Sequence, residues 1–128
     1  MNKVSNNVPE DIPKNVPQKL PNYEKASIPD GKITKYLLNI DHEDGKSKAK
    51  FFLNSGFTLE QWHKFAEVLC LHPVTNDIVD IKKTNHGMKY VVECNIVTPD
   101  GCSPCIRSVW IIKFDSITPL LVTAYPFK

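Results

Sequence analysis

The chain has 128 residues, 41% of them hydrophobic, which is enough for one domain built around a single core. Its 16 basic and 14 acidic residues nearly balance, so a polyanionic partner has to be met by a local cationic patch rather than by the overall charge. The sequence has no apolar run of about 18 residues and no signal-peptide pattern, and we therefore expect neither membrane insertion by this domain nor self-directed export.

The first segment of the chain repeats an apolar residue followed by proline at every fourth position. Proline removes a backbone donor and excludes helix, so the repeat predicts an extended, partly polyproline segment. We interpret residues 1–23 as a linker to a part of the protein further upstream, and residues 24–128 as a single α+β domain. A proline-rich ligand for another domain is the alternative. The repeated pairs are Val8-Pro9, Ile12-Pro13, Val16-Pro17 and Leu20-Pro21.

Apolar residues at helical spacing predict three short helices after the linker. The second begins at Ser47, and the third carries a capping box made of Thr58 and Gln61. We expect Pro73 to close the third helix, with His72 as a surface or capping residue. The apolar positions are Ile33, Tyr36, Leu37 and Ile40 in the first helix, Ala49, Phe52 and Leu53 in the second, and Trp62, Phe65, Ala66 and Leu69 in the third.

Four runs rich in β-branched and aromatic residues predict strands near residues 78–81, 90–98, 106–114 and 120–125. Pro, Gly, Asp or Ser bounds each of the last three runs, which is typical of strands joined in a meander. The third run is the most apolar, and we expect it to be central and covered on both faces. The predicted fold is α+β, with three short N-terminal helices packed on one face of a four-stranded antiparallel sheet.

One charged residue interrupts the most apolar strand. By the two-residue period of a strand, Arg107 shares a face with Val109, while Trp110 points to the opposite face and into the core. Thr123 and Tyr125 share a face of the next strand, and the hairpin register can bring them beside Arg107. From spacing alone, the preferred interpretation is structural: an arginine at a sheet edge and an ordinary β-forming threonine.

The four cysteines give only weak signals. Cys102 and Cys105 form a Cys-Ser-Pro-Cys sequence between two predicted strands, whereas a redox motif with this spacing should open a helix. A structural zinc site needs a second pair of ligands at suitable spacing, and Cys94 has no such neighbour, although His72 follows Cys70 by two residues. We expect free thiols, no metal and no cofactor.

Several short motifs resemble an uncharacterised bacterial domain family. That family occurs as small stand-alone proteins beside a short partner gene and as the tip of large secreted toxins. The similarity runs from about Leu20 to the last residue, and the order and spacing of the motifs make it specific. The motifs include Lys48-Ala49 before Phe51-Phe52, Thr98-Pro99-Asp100-Gly101, Arg107-Ser108-Val109-Trp110 and Leu121-Val122-Thr123-Ala124-Tyr125-Pro126.

Helices followed by a four-stranded antiparallel sheet are also the order of the barnase, EndoU, colicin and RelE superfold of ribonuclease toxins, which the chain resembles. The resemblance implies a metal-independent ribonuclease toxin domain that cleaves RNA, transfer RNA above all. It would act in the cytoplasm of a target bacterium, after delivery as part of a larger secreted protein, and would be neutralised by a small cognate immunity protein or antitoxin. The alternative is a non-catalytic protein- or nucleic-acid-binding module of a toxin–antitoxin-like gene pair.

Metal-free RNA cleavage needs a base, an acid, and cations or donors on the phosphate. We expect Lys48 and Arg107 to hold the phosphate, Thr123 to donate to it, and Tyr125 to donate or to stack on a base. His86, in the turn that enters the sheet, is the histidine best placed for proton transfer. His86 rests on chemistry alone, whereas the other four residues also lie in the family motifs.

Overall fold

The computed structural model describes residues 18–127 and has the predicted order of helices followed by strands, so the predicted α+β fold is confirmed. In this part of the chain no helix is long and apolar enough to cross a bilayer. The elements are a 3-10 turn Tyr23–Lys25, a single π-helical turn Ile33–Leu37 (the π-turn), α1 Lys46–Asn54, α2 Trp62–Thr75, β1 Ile78–Lys83, β2 Gly87–Asn95, β3 Cys105–Lys113 and β4 Leu120–Pro126.

The end of the segment that the sequence assigns to the linker packs onto the domain. Leu20 is only 1% exposed and lies in the hydrophobic core. The carbonyl of Gln18 accepts a hydrogen bond from the N–H of Ile78 at 2.8 Å, which ties the chain to the start of β1. The rest of the predicted linker, residues 1–17, lies outside the described residues.

The four strands form an antiparallel meander in the order β1-β2-β3-β4, as predicted. β2 and β3 pair over their whole lengths, from Gly87 opposite Lys113 to Asn95 opposite Cys105. β3 lies between β2 and β4, so the strand with the most apolar sequence is an inner strand of the sheet. β4 is an edge strand of the sheet, and a parallel β-bridge between Ser27 and Leu120 covers part of its free edge.

A β-bulge in β4 changes which of its side chains face the core. Val109 of β3 lies opposite Thr123, but the next residue, Trp110, lies opposite Leu121, so one residue of β4 has no partner. Leu121 and Ala124 are therefore both buried, although strict alternation would place them on opposite faces. Thr123, beside the bulge, is half-buried on the edge strand.

The helices cover one face of the sheet and build the core with it. Phe52 of α1 and Phe65 of α2 are fully buried, and their ring centroids lie 4.7 Å apart. Trp110 of β3 is also fully buried, which confirms its assignment to the core. Burying an aromatic ring of this size stabilises the fold by about 2–3 kcal/mol. The cluster also contains Ile33, Leu37, Leu38, Phe57, Leu69, Val92, Ile96, Ile106, Leu121 and Ala124.

The first predicted helix is a π-turn rather than an α-helix. The N–H groups of Leu37 and Leu38 donate to the carbonyls of Lys32 and Ile33, five residues earlier, at 2.9 and 2.8 Å. The turn ends at Leu37. Ile40, which α-helical spacing places on the buried stripe, is consequently 46% exposed.

The end of α2 differs from the prediction as well. The helix continues through Pro73 to Thr75. Pro73 has no N–H to donate to the Leu69 carbonyl, so the helix loses one hydrogen bond there and ends two residues later. At the other end, the N–H of Gln61 donates to the Thr58 hydroxyl at 3.2 Å, which is half of the predicted capping box. Trp62 is 44% exposed there instead of packing in the core.

A chain of buried hydrogen bonds, here called the histidine network, ties α2 to the sheet. The Trp110 indole N–H donates to Oγ of Ser108 at 2.8 Å, the Ser108 hydroxyl donates to Nδ1 of His72 at 2.7 Å, and Nε2–H of His72 donates to the Cys94 carbonyl at 2.8 Å. Burial lowers the pKa of His72 despite the opposing hydrogen bond to Cys94. His72 is thus a neutral core residue, and its predicted surface position is wrong.

Candidate functional site

A second chain of polar side chains, here called the tyrosine network, joins the π-turn, α1 and β4 at the edge of the sheet. Nζ of Lys48 donates to the phenol oxygen of Tyr36 at 2.6 Å. The same oxygen lies 3.0 Å from Oγ1 of Thr123. All three side chains are only partly buried, so the phenol is reachable from solvent. Two of the predicted site residues, Lys48 and Thr123, are therefore brought together by a tyrosine that the prediction left in the core stripe.

The residue before α1 permits the close approach of the tyrosine ring. A Cβ atom on Gly45 would lie 2.7 Å from Cδ1 of Tyr36 and 2.9 Å from the Tyr36 carbonyl oxygen. No side chain fits in that space without moving the ring or the backbone. Gly45 thus allows the start of α1 to meet the π-turn, which brings Lys48, in the first turn of α1, within reach of the phenol.

The surroundings of Tyr36 lower the pKa of its phenol. Burial raises the pKa of the phenol, but the hydrogen bonds from Lys48 and Thr123 and the charges of Lys48 and Lys32 outweigh burial, so the pKa is lowered from its usual value near 10. Nζ of Lys48 lies 5.1 Å from the ring centroid and Nζ of Lys32 lies 5.3 Å from it. A phenol with a lowered pKa between two ammonium groups can take up a proton and can also sit beside an anion.

A histidine that the sequence analysis did not single out lies against the same ring. The imidazole of His42 meets Tyr36 edge-on, with ring centroids 4.9 Å apart. Nδ1 of His42 accepts hydrogen bonds from the N–H groups of Asp44 and Gly45, both at 3.0 Å. Because Nδ1 is an acceptor twice, the ring proton of the neutral imidazole is on Nε2. His42 can therefore donate a hydrogen bond from Nε2–H, whereas the lone pair on Nδ1 is already used by the two backbone hydrogen bonds.

Arg107 lies on the same face of the sheet as Thr123, as its spacing predicts. It is directly opposite Tyr125, and the diagonal position of Thr123 is about 7–8 Å away. Nη2 of Arg107 lies 3.6 Å from a carboxylate oxygen of Glu93, and the guanidinium is 4.2 Å from the centroid of the Phe127 ring. Its Nε has no hydrogen-bond partner among the described residues. Nε is also buried, so the arginine is positioned from both sides and Nε itself is shielded from solvent.

His86 is not brought to these residues. It is exposed in the turn between β1 and β2, where its carbonyl accepts a hydrogen bond from the N–H of Phe114. Val91 is in register with Val109, and Val109 with Thr123, so His86 is five positions along the strand from the level of Thr123. Five positions correspond to about 16 Å. A proton transfer between His86 and a group held at Thr123 would need a large movement.

A groove of about 780 Å³ lies between residues 26–34 and α2, away from the tyrosine network. Trp62, Ala66 and Leu71 form its helical wall, and Asp30 and Glu67 are its acidic side chains. Among the described residues that line it there is no lysine, arginine or histidine. The groove therefore lacks cations for an anionic ligand, and the candidate site is at the tyrosine network.

The described cysteines are free thiols. Cys105 lies opposite Asn95, the residue after Cys94, and burial together with the neighbouring Cys94 and Glu93 raises the pKa of the Cys105 thiol to about 11. A thiol with so high a pKa is a poor nucleophile. Within residues 18–127 no group of three His, Cys, Asp or Glu side chains is arranged to hold a metal ion.

Comparison with known proteins identifies the family of this chain and a solved structure with a similar fold. Residues 19–128 match the family described as Domain of unknown function (DUF6883), and the chain belongs to that family. The fold is similar to that of a chain in a contact-dependent growth inhibition toxin–immunity protein complex from Klebsiella pneumoniae 342, with a TM-score of 0.61 and 15% sequence identity. The match covers 78% of this chain and 98% of that chain. A comparison with curated proteins finds no match.

Proposed function

We propose that this domain is a ribonuclease toxin that cleaves RNA by transesterification from the 2′-hydroxyl. The observation that carries the proposal is the Tyr36 phenol, hydrogen-bonded to Lys48 and next to Thr123, with a lowered pKa. The similarity of its fold to a chain of a growth-inhibition toxin–immunity protein complex supports the same conclusion. Fold similarity alone would be insufficient, because one fold supports many functions.

In the proposed reaction the Tyr36 phenolate takes the proton of the 2′-hydroxyl, and the resulting 2′-oxygen attacks the adjacent phosphorus. The bond from phosphorus to the 5′-oxygen breaks, and the leaving 5′-oxygen takes a proton from water, which leaves a 2′,3′-cyclic phosphate and a free 5′-hydroxyl. The Tyr36 phenol then returns its proton to the solvent. Negative charge builds on the phosphate during this step, and Lys48 and the Thr123 hydroxyl lie where they can stabilise it. Arg107, on the same face of the sheet, supplies a further cation.

The geometry favours Tyr36 over the histidines as the base. His42 is next to the phenol, but its Nδ1 already accepts two backbone hydrogen bonds. His86, the histidine predicted from the sequence, is about 16 Å along the strand from the level of Thr123. Tyr36 itself has a lowered pKa and direct contact with the cation that would hold the phosphate. Tyr125 remains a candidate for stacking on a base, since it lies opposite Arg107.

The proposed substrate is transfer RNA in the cytoplasm of a target bacterium, reached as part of a larger delivered protein. The proposed partner is a small immunity protein, in keeping with the complex that has a similar fold. An inhibitor of this site would have to cover Lys32, Lys48 and the Tyr36 phenol between them. Acidic residues on the inhibitor would complement these cations and speed association.

The decisive experiment compares Tyr36→Phe with the unmodified chain, both expressed in bacteria without a partner protein. Tyr36→Phe removes only the phenol oxygen and is expected to lower RNA cleavage by the purified protein at least about 100-fold, as for loss of a general base. Growth arrest and discrete RNA fragments should disappear together. Tyr23→Phe, at another half-buried tyrosine, is the matched control and should leave both unchanged.

Normal growth and intact RNA under confirmed expression of the unmodified chain would contradict the proposal. They would favour the alternative, a non-catalytic binding module. Cleavage by the purified domain should also continue in the presence of EDTA, because every step is assigned to protein side chains. Abolition of cleavage by the chelator would show that the proposed chemistry is wrong.

A further inference from the structure

A cavity beside the tyrosine network has no role in the cleavage step described above. Its volume is about 490 Å³, and it is lined by Lys32, Lys35, Tyr36, His42 and the turn formed by residues 29–31. Tyr36 is thus a shared wall, with the phenol on the Lys48 side and the ring bordering the cavity. A cavity of this size is within the range of nucleotide-sized ligands.

The charges around the cavity favour an anion. Lys32 and Lys35 are three residues apart in the chain, and both line the cavity. Neither is in an ion pair with any of the described residues. Asp30 is the single acidic residue among the described residues of the lining. The lining therefore carries two positive charges against one negative charge.

His42 adds a donor whose direction is fixed. Its Nδ1 is held by the backbone N–H groups of Asp44 and Gly45, so the imidazole presents Nε2–H rather than a lone pair. An N–H donor beside two ammonium groups suits the oxygens of a phosphate, which only accept hydrogen bonds. A protein carboxylate would bring the same charge, but this open, shallow pocket adjoins the proposed scissile phosphate.

We infer that the cavity of Lys32, Lys35 and His42 is a second phosphate subsite, which binds the phosphate one nucleotide away from the phosphate held between Lys48 and Thr123. The inference rests on the proposed function, because the same RNA strand would occupy both places. The two subsites share Tyr36, so a strand that reaches both must pass the phenol. The enzyme would then prefer substrates with a phosphate on both sides of the nucleotide at Tyr36 over those with one.

Equilibrium binding of two small probes tests the subsite without relying on cleavage. The probes are adenosine 3′-monophosphate and adenosine 3′,5′-bisphosphate, measured by isothermal titration calorimetry on the full chain. The bisphosphate is expected to bind about tenfold more tightly to the unmodified protein, which is the effect of one charge-assisted phosphate contact. In the double variant Lys32→Ala/Lys35→Ala the two probes should bind with equal affinity.

The control removes the same net charge elsewhere. Lys25→Ala/Lys64→Ala changes two exposed lysines that do not line the cavity, and it should keep the tenfold preference. Circular dichroism verifies that both double variants are folded. Equal binding of the two probes to the unmodified protein, no measurable binding of either, or a preference that survives in Lys32→Ala/Lys35→Ala would each overturn the inference.

The outcomes separate the subsite from the proposed ribonuclease activity. A bisphosphate preference that depends on Lys32 and Lys35, in a protein that leaves RNA intact, would support the subsite and contradict the activity. RNA cleavage lost in Tyr36→Phe, in a protein without the preference, would support the activity and overturn the subsite.

Discussion

The histidine network and the tyrosine network are both chains of hydrogen-bonded polar side chains, but they differ in burial and in charge. In the histidine network every hydrogen-bonding atom has a protein partner, and His72 is 1% exposed. In the tyrosine network the phenol is partly buried, and cations surround it. Burial keeps His72 neutral, whereas hydrogen bonds and positive charges stabilise the anion of Tyr36.

The difference shows which polar groups of this fold are available for chemistry. A saturated, buried network stabilises one arrangement and has no capacity left for a ligand. A partly exposed group with a pKa lowered by cations can exchange a proton and accept an anion nearby. Substitutions in the first network should therefore change stability, and substitutions in the second should change activity.

The largest expected effect is on activity, from Lys48→Met. The substitution removes the donor to Tyr36 and the proposed phosphate cation, and should lower RNA cleavage at pH 7 about 100-fold. Because Lys48 helps to lower the pKa of Tyr36, the rise of the rate with pH should move to higher pH in the variant. The measurement is a pH–rate profile of both proteins. Lys50→Met, on the exposed side of α1, is the control and should leave both the cleavage rate and its pH dependence unchanged.

A smaller effect, on stability alone, is expected for Ser108→Ala. The change leaves Nδ1 of His72 and the indole N–H of Trp110 buried without their partner, and should lower the free energy of unfolding by about 3 kcal/mol. Urea denaturation measures this effect. Ser47→Ala, at an exposed serine of α1, should change it by less than about 0.5 kcal/mol. Loss of cleavage by folded Ser108→Ala protein would contradict the assignment of stability to the histidine network and of activity to the tyrosine network.

The smallest effect is the pH dependence that His72 gives to stability. Its pKa is lower in the folded protein than in the unfolded chain, so the unfolded chain binds the proton more readily. The stabilisation is complete above the unfolded value of about 6.5 and is lost as the pH falls through it towards the lowered folded value. Urea denaturation at several pH values between about 5 and 8 should show a steeper loss for the unmodified protein than for His72→Gln. If the free energy of unfolding changed equally with pH in both proteins, the assignment of His72 as a neutral core residue would be wrong.

The sheet could be predicted because its signals are local. Runs of β-branched residues between turn residues define the strands, and the two-residue period placed Arg107 and Thr123 on one face, as the register has them. The position of Trp110 in the core followed from the same period. The roles of Lys48, Arg107, Thr123, Tyr125 and His86 remain predictions that the proposed experiments test.

The tyrosine network could not be predicted, because it depends on irregular backbone. The π-turn shifts the phase of the first helix, and Tyr36, counted in an apolar stripe, instead turns its hydroxyl towards α1. The bulge in β4 sets the position of Thr123, and a bulge has no clear signal in this sequence. One signal was present, since a tyrosine in an apolar stripe usually needs a partner for its hydroxyl. The buried position of His72 could not be predicted either, because its partner Ser108 is far away in the chain.

The contact at Gly45 offers a way to obtain an inactive form of the proposed toxin. Alanine there would push the Tyr36 ring away from the start of α1, while the core residues Phe52, Phe65 and Trp110 stay as they are. Under the proposed function, such a protein would lose RNA cleavage through a single methyl group and would keep Lys48 and Arg107 for an inhibitor to contact. It could be produced in living bacteria and then used as bait for the proposed immunity protein.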